Sequence, residues 1–272
     1  MASNESITDR AHLIDFAYAT PDRLRKRIRL YDFQVDPIDL PAWVLDHIPS
    51  AATAHFLDVG CGPGRYLEAI RSSHPVATAF GCDLSFGMAR EAALHSPSLA
   101  GDSTFLPFSD DSFDCVIAAH MLYHVPDIDA TLREIFRVTR SGGNVAVVLN
   151  GVAHLRELFT VLRDAVIAVG GKNAPRPESP DRIKLRAAEP LIARYFASLE
   201  TFAERRAIVT TDSTVIADYV ESMEATFASA IDVQWSDVVE ATRTIVSDHI
   251  ANHGAWHTSS NLGMILARKP RT

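Results

Sequence analysis

Cysteine is scarce in this chain of 272 residues: Cys61, Cys82 and Cys115 stand apart, odd in number and with no CxxC spacing. That pattern excludes a disulfide framework and a cysteine-built zinc site, and it fits a reducing compartment, taken here as the cytoplasm. Long apolar runs are missing as well. Nothing approaches the roughly 18 residues of a membrane span, and the polar opening MASNESITDRAH lacks a signal-peptide core. Positive charge is in deficit, with 26 Lys plus Arg against 34 Asp plus Glu, a net −8. Such a balance gives no general electrostatic grip on nucleic acid, which needs surplus cations facing phosphates. Internal repeats, low-complexity segments and metal-ligand spacings are absent too. What remains is 47% apolar and 22% charged residues, the mixture of a globular protein long enough for one large domain and a sizeable core.

Periodicity divides the chain in two. Helical spacing runs from Ile14 to Ile28, with Pro21 able to start a second helix with Asp22 in its first turn, and again from Leu40 to Ile48. No sheet signal precedes residue 55. After it, short apolar runs at 55–60, 77–82, 113–119 and 144–150 alternate with helical segments at 65–72, 86–95 and 127–140. Ser141-Gly142-Gly143 reads as the left-handed C-terminal cap of the last of these. Near-continuous apolar strands between helices predict a parallel sheet covered on both faces, a doubly wound α/β fold. Beyond it come a helix at 152–169, a Pro/Gly/polar linker at 170–181, a helix at 182–197 and a strand at 198–210. Helices at about 213–229 and 234–252 and a last strand at 259–268 complete the chain.

The chemistry concentrates at three places. Leu57-Asp-Val-Gly-Cys-Gly-Pro-Gly64 is a strand end followed by glycines at GxGxG spacing. There the main chain turns tightly and approaches a ligand, at the N-terminus of the next helix. Asp58 precedes the first glycine by two residues, where a carboxylate suits an ammonium and would repel a diphosphate. Asp83 closes the second strand and can take both hydroxyls of a ribose, or cap the following helix. Asp102 and Ser103, in Gly101-Asp-Ser-Thr-Phe-Leu-Pro-Phe108, can meet an adenine edge.

These segments, FLDVGCGPGRYL (56–67), GCDLSFGMAREA (81–92), AGDSTFLPFSDDSFDCVIAAHMLYHVPD (100–127) and REIFRVTRSGGNVAVV (133–148), resemble the class I S-adenosylmethionine-dependent methyltransferases. The likeness is in particular to the branch typified by the ubiquinone/menaquinone-biosynthesis methyltransferases. The resemblance implies a Rossmann-like seven-stranded sheet with its last strand antiparallel. It implies S-adenosyl-L-methionine as cofactor and S-adenosyl-L-homocysteine as product. Asp58, Gly60 and Gly62 would hold the amino-acid part, with Gly64 packing at the helix start. Asp83 would bind the ribose, Leu84 and Met88 would line the adenine, and Asp102 and Ser103 would meet its edge. Ala119 and His120 would lie beside the methionine part. Residues 1–50 would form an N-terminal helical lid, 51–150 the cofactor-binding core, 151–197 a helical cap insertion, and 198–272 the closing strands with substrate-pocket helices.

His120 and His124 are the candidates for a general base, since imidazole exchanges protons near neutral pH. Each has a quieter alternative, a cofactor contact for His120 and a loop-bonding role for His124; Asp127 is read as a helix cap. Tyr18 and Tyr31 on the lid, Tyr123 beside the histidines, and His257 before the last strand are candidates for the acceptor pocket; His253 and His257 flank a loop that can overhang it, and a catalytic role for either is the lesser reading. Phe159, Leu162, Phe196, Tyr219, Met223, Phe227 and Trp256 suit either that pocket or a core. The basic run Arg23, Arg25, Lys26, Arg27 and Arg29 reads as a solvated helix face in preference to a site for an acidic substrate. The expected acceptor is a small, hydrophobic metabolite, in a setting such as secondary-metabolite biosynthesis, with no nucleic acid and no membrane as partner. A protein acceptor, a non-catalytic cofactor-binding module and a nicotinamide-dependent oxidoreductase are the competing readings; Asp58 and the Asp102-Ser103 pair argue against the last. A homodimer is compatible with the sequence.

Overall fold

The computed structural model describes residues 8–14, 22–176, 179 and 181–271. It opens with α1 (Arg10–His12), α2 (Asp22–Arg29), a 3₁₀ turn at Leu30–Phe33 and α3 (Leu40–His47). The central alternation is β1 (His55–Val59), α4 (Arg65–Ser73), β2 (Thr78–Asp83), α5 (Phe86–Ala92), β3 (Ser98–Ala100), β4 (Phe113–Ala119), α6 (Ile128–Val138) and β5 (Thr139–Asn150). Then follow α7 (Arg156–Ala168), α8 (Leu185–Ile192), β6 (Ala197–Thr210), α9 (Ser213–Ser222), α10 (Glu224–Phe227), α11 (Trp235–His253) and β7 (Trp256–Arg268).

The strands form one seven-stranded sheet in the order β3-β2-β1-β4-β5-β7-β6. Strands β1 to β5 are parallel, and β7 lies antiparallel between β5 and β6. This is the doubly wound sheet with an antiparallel last strand that the sequence led us to expect. The chain leaves β1 toward β2 and β3, then returns to β4 on the other side. Connections after β1 and β4 therefore diverge and leave a crevice at their C-terminal ends.

Alternation along the strands sorts the core into two layers. Val145, Val147 and Leu149 of β5 pack with Leu132 and Ile135 of α6 and with Ala188 and Ile192 of α8. Ala146 and Val148 pack on the opposite face with Val44 of α3 and Leu67 and Ile70 of α4. A third apolar cluster is mainly helical and reaches the sheet at Ile208 of β6 and Trp256 of β7. It joins Leu158, Val161, Leu162 and Val166 of α7, Val215, Ile216 and Val220 of α9, Val238 and Val246 of α11, and Leu30. The segment 151–197 is thus shared between two clusters: α7 builds the helical layer, whereas α8 covers the sheet. Phe196 sits in the sheet core, and Leu162, Phe227 and Trp256 in the helical one.

Two local expectations are corrected. Ser141-Gly142-Gly143 does not cap α6, which ends at Val138 with Thr139 already extended and its hydroxyl donating to the Ile135 carbonyl at 2.6 Å. Instead these residues make a bulge in β5. Phe113 pairs with Thr139 and Cys115 with Asn144, so two steps on β4 face five on β5. Gly142, at φ +74°, supplies the left-handed turn that this excess demands. The short β3 was missed, because three residues of Ser-Leu-Ala carry no periodic signal.

The basic run of α2 is likewise neither a bare solvated face nor an anion site. Arg23 bonds Glu224 at 3.0 Å, Lys26 bonds Glu221 at 2.6 Å, and Arg29 bonds Asp218 at 3.1 Å. Arg27 donates to the Ser222 carbonyl at 3.0 Å. Acidic residues of α9 and α10 thus meet the cations of α2 along one seam. Pairs this exposed are weak singly, about 1 kcal/mol or less each, and are screened by salt. No helix among the described residues is long and apolar enough to cross a membrane.

The seam makes α2 the salt-sensitive element of the fold. Amide hydrogen exchange of residues 22–29 is expected to accelerate several-fold in Glu221→Gln/Glu224→Gln, and in the wild type at about 0.5 M salt. Exchange in β1, β4 and β5 should not change. Equal acceleration everywhere would show a global loss of stability in place of an opening seam.

Candidate functional site

At the end of β1 the chain turns on three left-handed glycines, Gly60 at φ +71°, Gly62 at +52° and Gly64 at +92°. A side chain on Gly60 would strike Met121, whose Cβ lies 2.6 Å from the place a Cβ would take. One on Gly64 would strike the Ala92 backbone at 2.9 Å, so Gly64 seats α4 against α5. Gly62 lines the cavity, where a Cβ would meet only Leu24 Cδ2, at an ordinary 3.9 Å. The Gly60 N–H donates to the Cys82 carbonyl at 2.7 Å, which ties the loop to β2.

Beneath this loop Asp58 is 1% exposed, and neither carboxyl oxygen has a hydrogen-bond partner among the described residues. The hydroxyl of Tyr66 is buried nearby, also without a partner. Burial, reinforced by the charge of Asp83, pushes the Asp58 carboxyl up to about 8. A buried acid with no donor is costly to ionise. It is therefore a vacant acceptor for a cation presented at the glycine loop.

Asp83 is oriented on both oxygens. Oδ2 accepts from the Gly62 N–H and Oδ1 from the Ser85 N–H, each at 2.8 Å, which leaves further lone pairs for a ligand. Burial raises its carboxyl despite these two bonds. The cap of α5 is Ser85, whose hydroxyl accepts from the Met88 N–H at 3.3 Å, and not Asp83. Asp102 accepts from the Thr104 N–H at 2.9 Å and pairs with Arg10 of α1. Burial works against ionisation there, but the bonds from Thr104 and Arg10 hold the carboxyl below its usual range. The Ser103 hydroxyl bonds Thr131 at 3.0 Å.

A cavity of about 880 Å³ runs along these residues, within the range of small-molecule sites. Gly60, Gly62, Asp83, Leu84, Met88, Asp102, Ser103, Ala119 and His120 all line it, together with Tyr123, His124 and Tyr31. Asp58 and Gly64 lie behind the wall. His120 follows β4 in a left-handed conformation, φ +54°, held by its N–H to the Val148 carbonyl at 2.9 Å. Strain of that kind in a non-glycine residue is found where geometry serves a site. Burial pushes its imidazole down to about 4, so the ring is neutral at pH 7. Tyr123 and His124 form a 3₁₀ turn with their rings in contact, centroids 4.6 Å apart, and Asp127 caps α6.

Not every expected residue arrives. His257 is exposed on β7 opposite Val209 and His253 is exposed at the end of α11, so neither borders the cavity; the strand begins at Trp256 and carries His257 outward. Tyr18 falls outside the described residues. Of the apolar candidates, Phe159, Tyr219 and Met223 line the cavity.

The far end of the cavity holds groups that sequence reasoning overlooked: Asn150, His154, Ser179 and Asp181. Asp181 accepts from Asn150 Nδ2 at 2.9 Å and from Lys184 Nζ at 3.2 Å. Against its burial, Lys184 and Asn150 hold its carboxyl low. His154, 3% exposed, is pushed down to about 3, chiefly by burial. Asn150 and His154 do follow the C-terminal end of a sheet strand, where ligands gather in open α/β sheets. That was the available signal. Asp181 sits in a segment read as a linker and carried none.

Residues 57–147 match the family model described as a methyltransferase domain. A demethylmenaquinone methyltransferase of Roseiflexus castenholzii is 39% identical over 103 residues, 36% of this chain and 42% of that protein. The chain thus spans less than half the length of the curated relatives it matches first. Among solved structures, Haemonchus contortus phosphoethanolamine N-methyltransferase 2, in complex with S-adenosyl-L-methionine, matches with a TM-score of 0.60 at 18% identity. The match covers 97% of this chain and 60% of that one. The [4+2]-cyclase SpnF matches with a TM-score of 0.52 at 19% identity, covering 86% of this chain and 80% of that one. At such identities the likeness is one of fold.

Asp58 gives the site a thermodynamic signature. Its folded pKa lies above its unfolded one, so its contribution to stability is complete at low pH and is lost as pH rises from about 4 to 8. Asp58→Asn, which cannot ionise, is expected to melt several degrees above the wild type at pH 8.5, with a smaller gain at pH 5, by scanning calorimetry. A gain that does not grow with pH would mean that the carboxylate has a partner.

Proposed function

We propose that this chain, which carries a methyltransferase domain over residues 57–147, is a class I S-adenosylmethionine-dependent enzyme that transfers a methyl group to a nucleophilic oxygen, nitrogen or carbon of a small, largely apolar metabolite. The observation that carries this reading is Asp58, a buried carboxyl with no donor, set under a glycine loop beside an Asp83 already oriented by two main-chain N–H groups. That pair of acceptors fits an amino acid joined to a ribose.

When bound, the cofactor supplies a methyl group already activated on a sulfonium. The chain's own residues then bind, orient and exclude water. Asp58 would take the ammonium, and Gly60 and Gly62 would offer main chain without side-chain obstruction. Asp83 would hold the ribose hydroxyls. Leu84 and Met88 would pack on the adenine, with Asp102 and Ser103 at its edge. Alignment in a dry chamber is the main source of rate for such a transfer. The helical layer of α7, α9 and α2 closes that chamber over the end of the sheet.

His120 would receive the proton that the acceptor loses, with His124 lining the same cavity. Because burial holds its pKa near 4, His120 is a weak base. It therefore suits an acceptor that loses its proton readily, or only as the new bond forms. The same weakness supports a second reading, a protein that binds the cofactor without transferring its methyl group. Release of S-adenosylhomocysteine in the presence of candidate acceptors separates the two.

Asp58 also yields a direct test. At pH 7 its carboxyl is protonated in the free protein, and an arriving ammonium favours the ionised form. Binding of S-adenosylmethionine is expected to release close to one proton, measured by calorimetry in buffers of different ionisation enthalpy. In Asp58→Asn that release should vanish, with affinity at least about 30-fold lower. Equal affinity with no proton release in either protein would place the ammonium elsewhere.

A further inference from the structure

Tyr31 and His154 meet at the end of the cavity away from the glycine loop. The tyrosine hydroxyl and His154 Nε2 are 2.9 Å apart, and both residues line the cavity. The other ring nitrogen settles which of the two donates. His154 Nδ1 lies 3.2 Å from the Asn261 main-chain nitrogen and accepts its N–H, so Nδ1 carries no proton. The proton of the neutral ring is therefore on Nε2, and it points at Tyr31. The tyrosine oxygen accepts that bond. Its own O–H then has to donate elsewhere, and no acceptor for it exists among the described residues.

Both partners are fixed from outside the cavity. The turn bearing His154 is sewn to β7 by the Gly151 N–H to the Asn261 carbonyl at 2.9 Å and the Leu155 N–H to the Ser259 carbonyl at 2.7 Å. The 3₁₀ turn bearing Tyr31 is held on β6 and β7 by the Val35 N–H to the Ala207 carbonyl at 2.8 Å and by Gln34 Nε2 to the Ser260 hydroxyl at 2.9 Å. A hydroxyl proton held this way is a preorganised donor, costing a ligand little ordering entropy.

The surroundings define what it can take. Phe159, Tyr219, Met223 and Leu262 offer apolar surface. The anion nearest His154 and His120, Asp181, is already met by Lys184 and Asn150. Asp32, beside Tyr31 in the chain, also borders the cavity but is exposed to water, so among the described residues a cationic amine finds no buried vacant carboxylate at this end. We propose that Tyr31, oriented by the Asn261–His154 hydrogen bonds, is the donor that binds an oxygen of the methyl acceptor, which makes the acceptor an apolar molecule bearing a carbonyl, phenol or enol oxygen. This assignment rests on the methyltransferase reading for the word acceptor. The donor and its ligand chemistry stand on the geometry alone.

The first test needs no ligand. Nitrogen-15 NMR of the histidine rings at pH 7 should show His154 as the Nε2–H tautomer; the Nδ1–H tautomer would overturn the proposal. The second uses 1-naphthol, 1-methylnaphthalene and 1-naphthylmethylamine as probes on protein saturated with S-adenosylhomocysteine. Wild type is expected to prefer 1-naphthol. Tyr31→Phe should weaken 1-naphthol binding about three- to tenfold and leave 1-methylnaphthalene and S-adenosylhomocysteine unchanged. Preference for the amine, equal binding of 1-naphthol by both proteins, or binding of none of the probes would overturn the donor assignment. Failure of S-adenosylhomocysteine to bind, with the naphthol preference and its loss in Tyr31→Phe intact, would instead remove the methyltransferase reading and leave the oxygen-binding site standing.

Discussion

A carboxyl group buried without a donor is the constraint on which the remainder of the site depends. Asp58 lies in the middle of the parallel sheet, paired in register with Gly81 on one side and Ile117 on the other. Its neighbours in the sheet offer it no hydrogen-bond donor. Its burial therefore stores an unfavourable free energy that only a cation entering from the glycine loop relieves. Functional groups are commonly held at such a cost to stability. The loop has to stay open for that entry, which is why its outward residue is Gly62 while Gly60 and Gly64 are packed shut by Met121 and Ala92.

The cavity has two chemically different ends. Around Asp58, Asp83 and Asp102 the lining is anionic or acidic and is organised by main-chain N–H groups. Around His120, His154 and Tyr31 burial keeps both imidazoles neutral, and the Asp181 carboxylate is matched by Lys184. A charged, polar molecule and a neutral, apolar one can thus be sorted to opposite ends by desolvation alone. His120, strained at the end of β4, stands where the two ends meet. This division follows from the topology. The loops after β1 and β2 build one end, and the turn after β5, closed against β7, builds the other.

The helical layer is held by a different kind of force. Its interior is apolar, with Leu158, Val161, Ile216 and Val238 fully or almost fully buried. The contact of α2 with α9 and α10 is instead a seam of exposed ion pairs, together with the bond from Arg27 to the Ser222 carbonyl. Apolar burial makes the interior of this layer permanent, whereas screened charge makes the contact of α2 with it cheap to part.

What the sequence determined by itself was local and periodic. Apolar runs of five to seven residues between helices specified the parallel strands. The glycine spacing after Leu57 specified a turn that only glycine can make; the acids at 58 and 83 were legible from their places at strand ends, and the acid at 102 from the segment that carries the family resemblance. Tertiary structure decided everything that depends on distant partners. Whether the cations of α2 face solvent or the acids of α9 and α10 is a question of docking. So is the fate of Ser141-Gly142-Gly143, which reads as a helix cap until β4 imposes its register. Residues 150, 154 and 181 become one cluster only when the turn after β5 closes on β7 and brings Asp181 beneath it. Hydrophobic periodicity is a property of neighbours in the chain, whereas a hydrogen-bond partner or a buried charge is a property of neighbours in space.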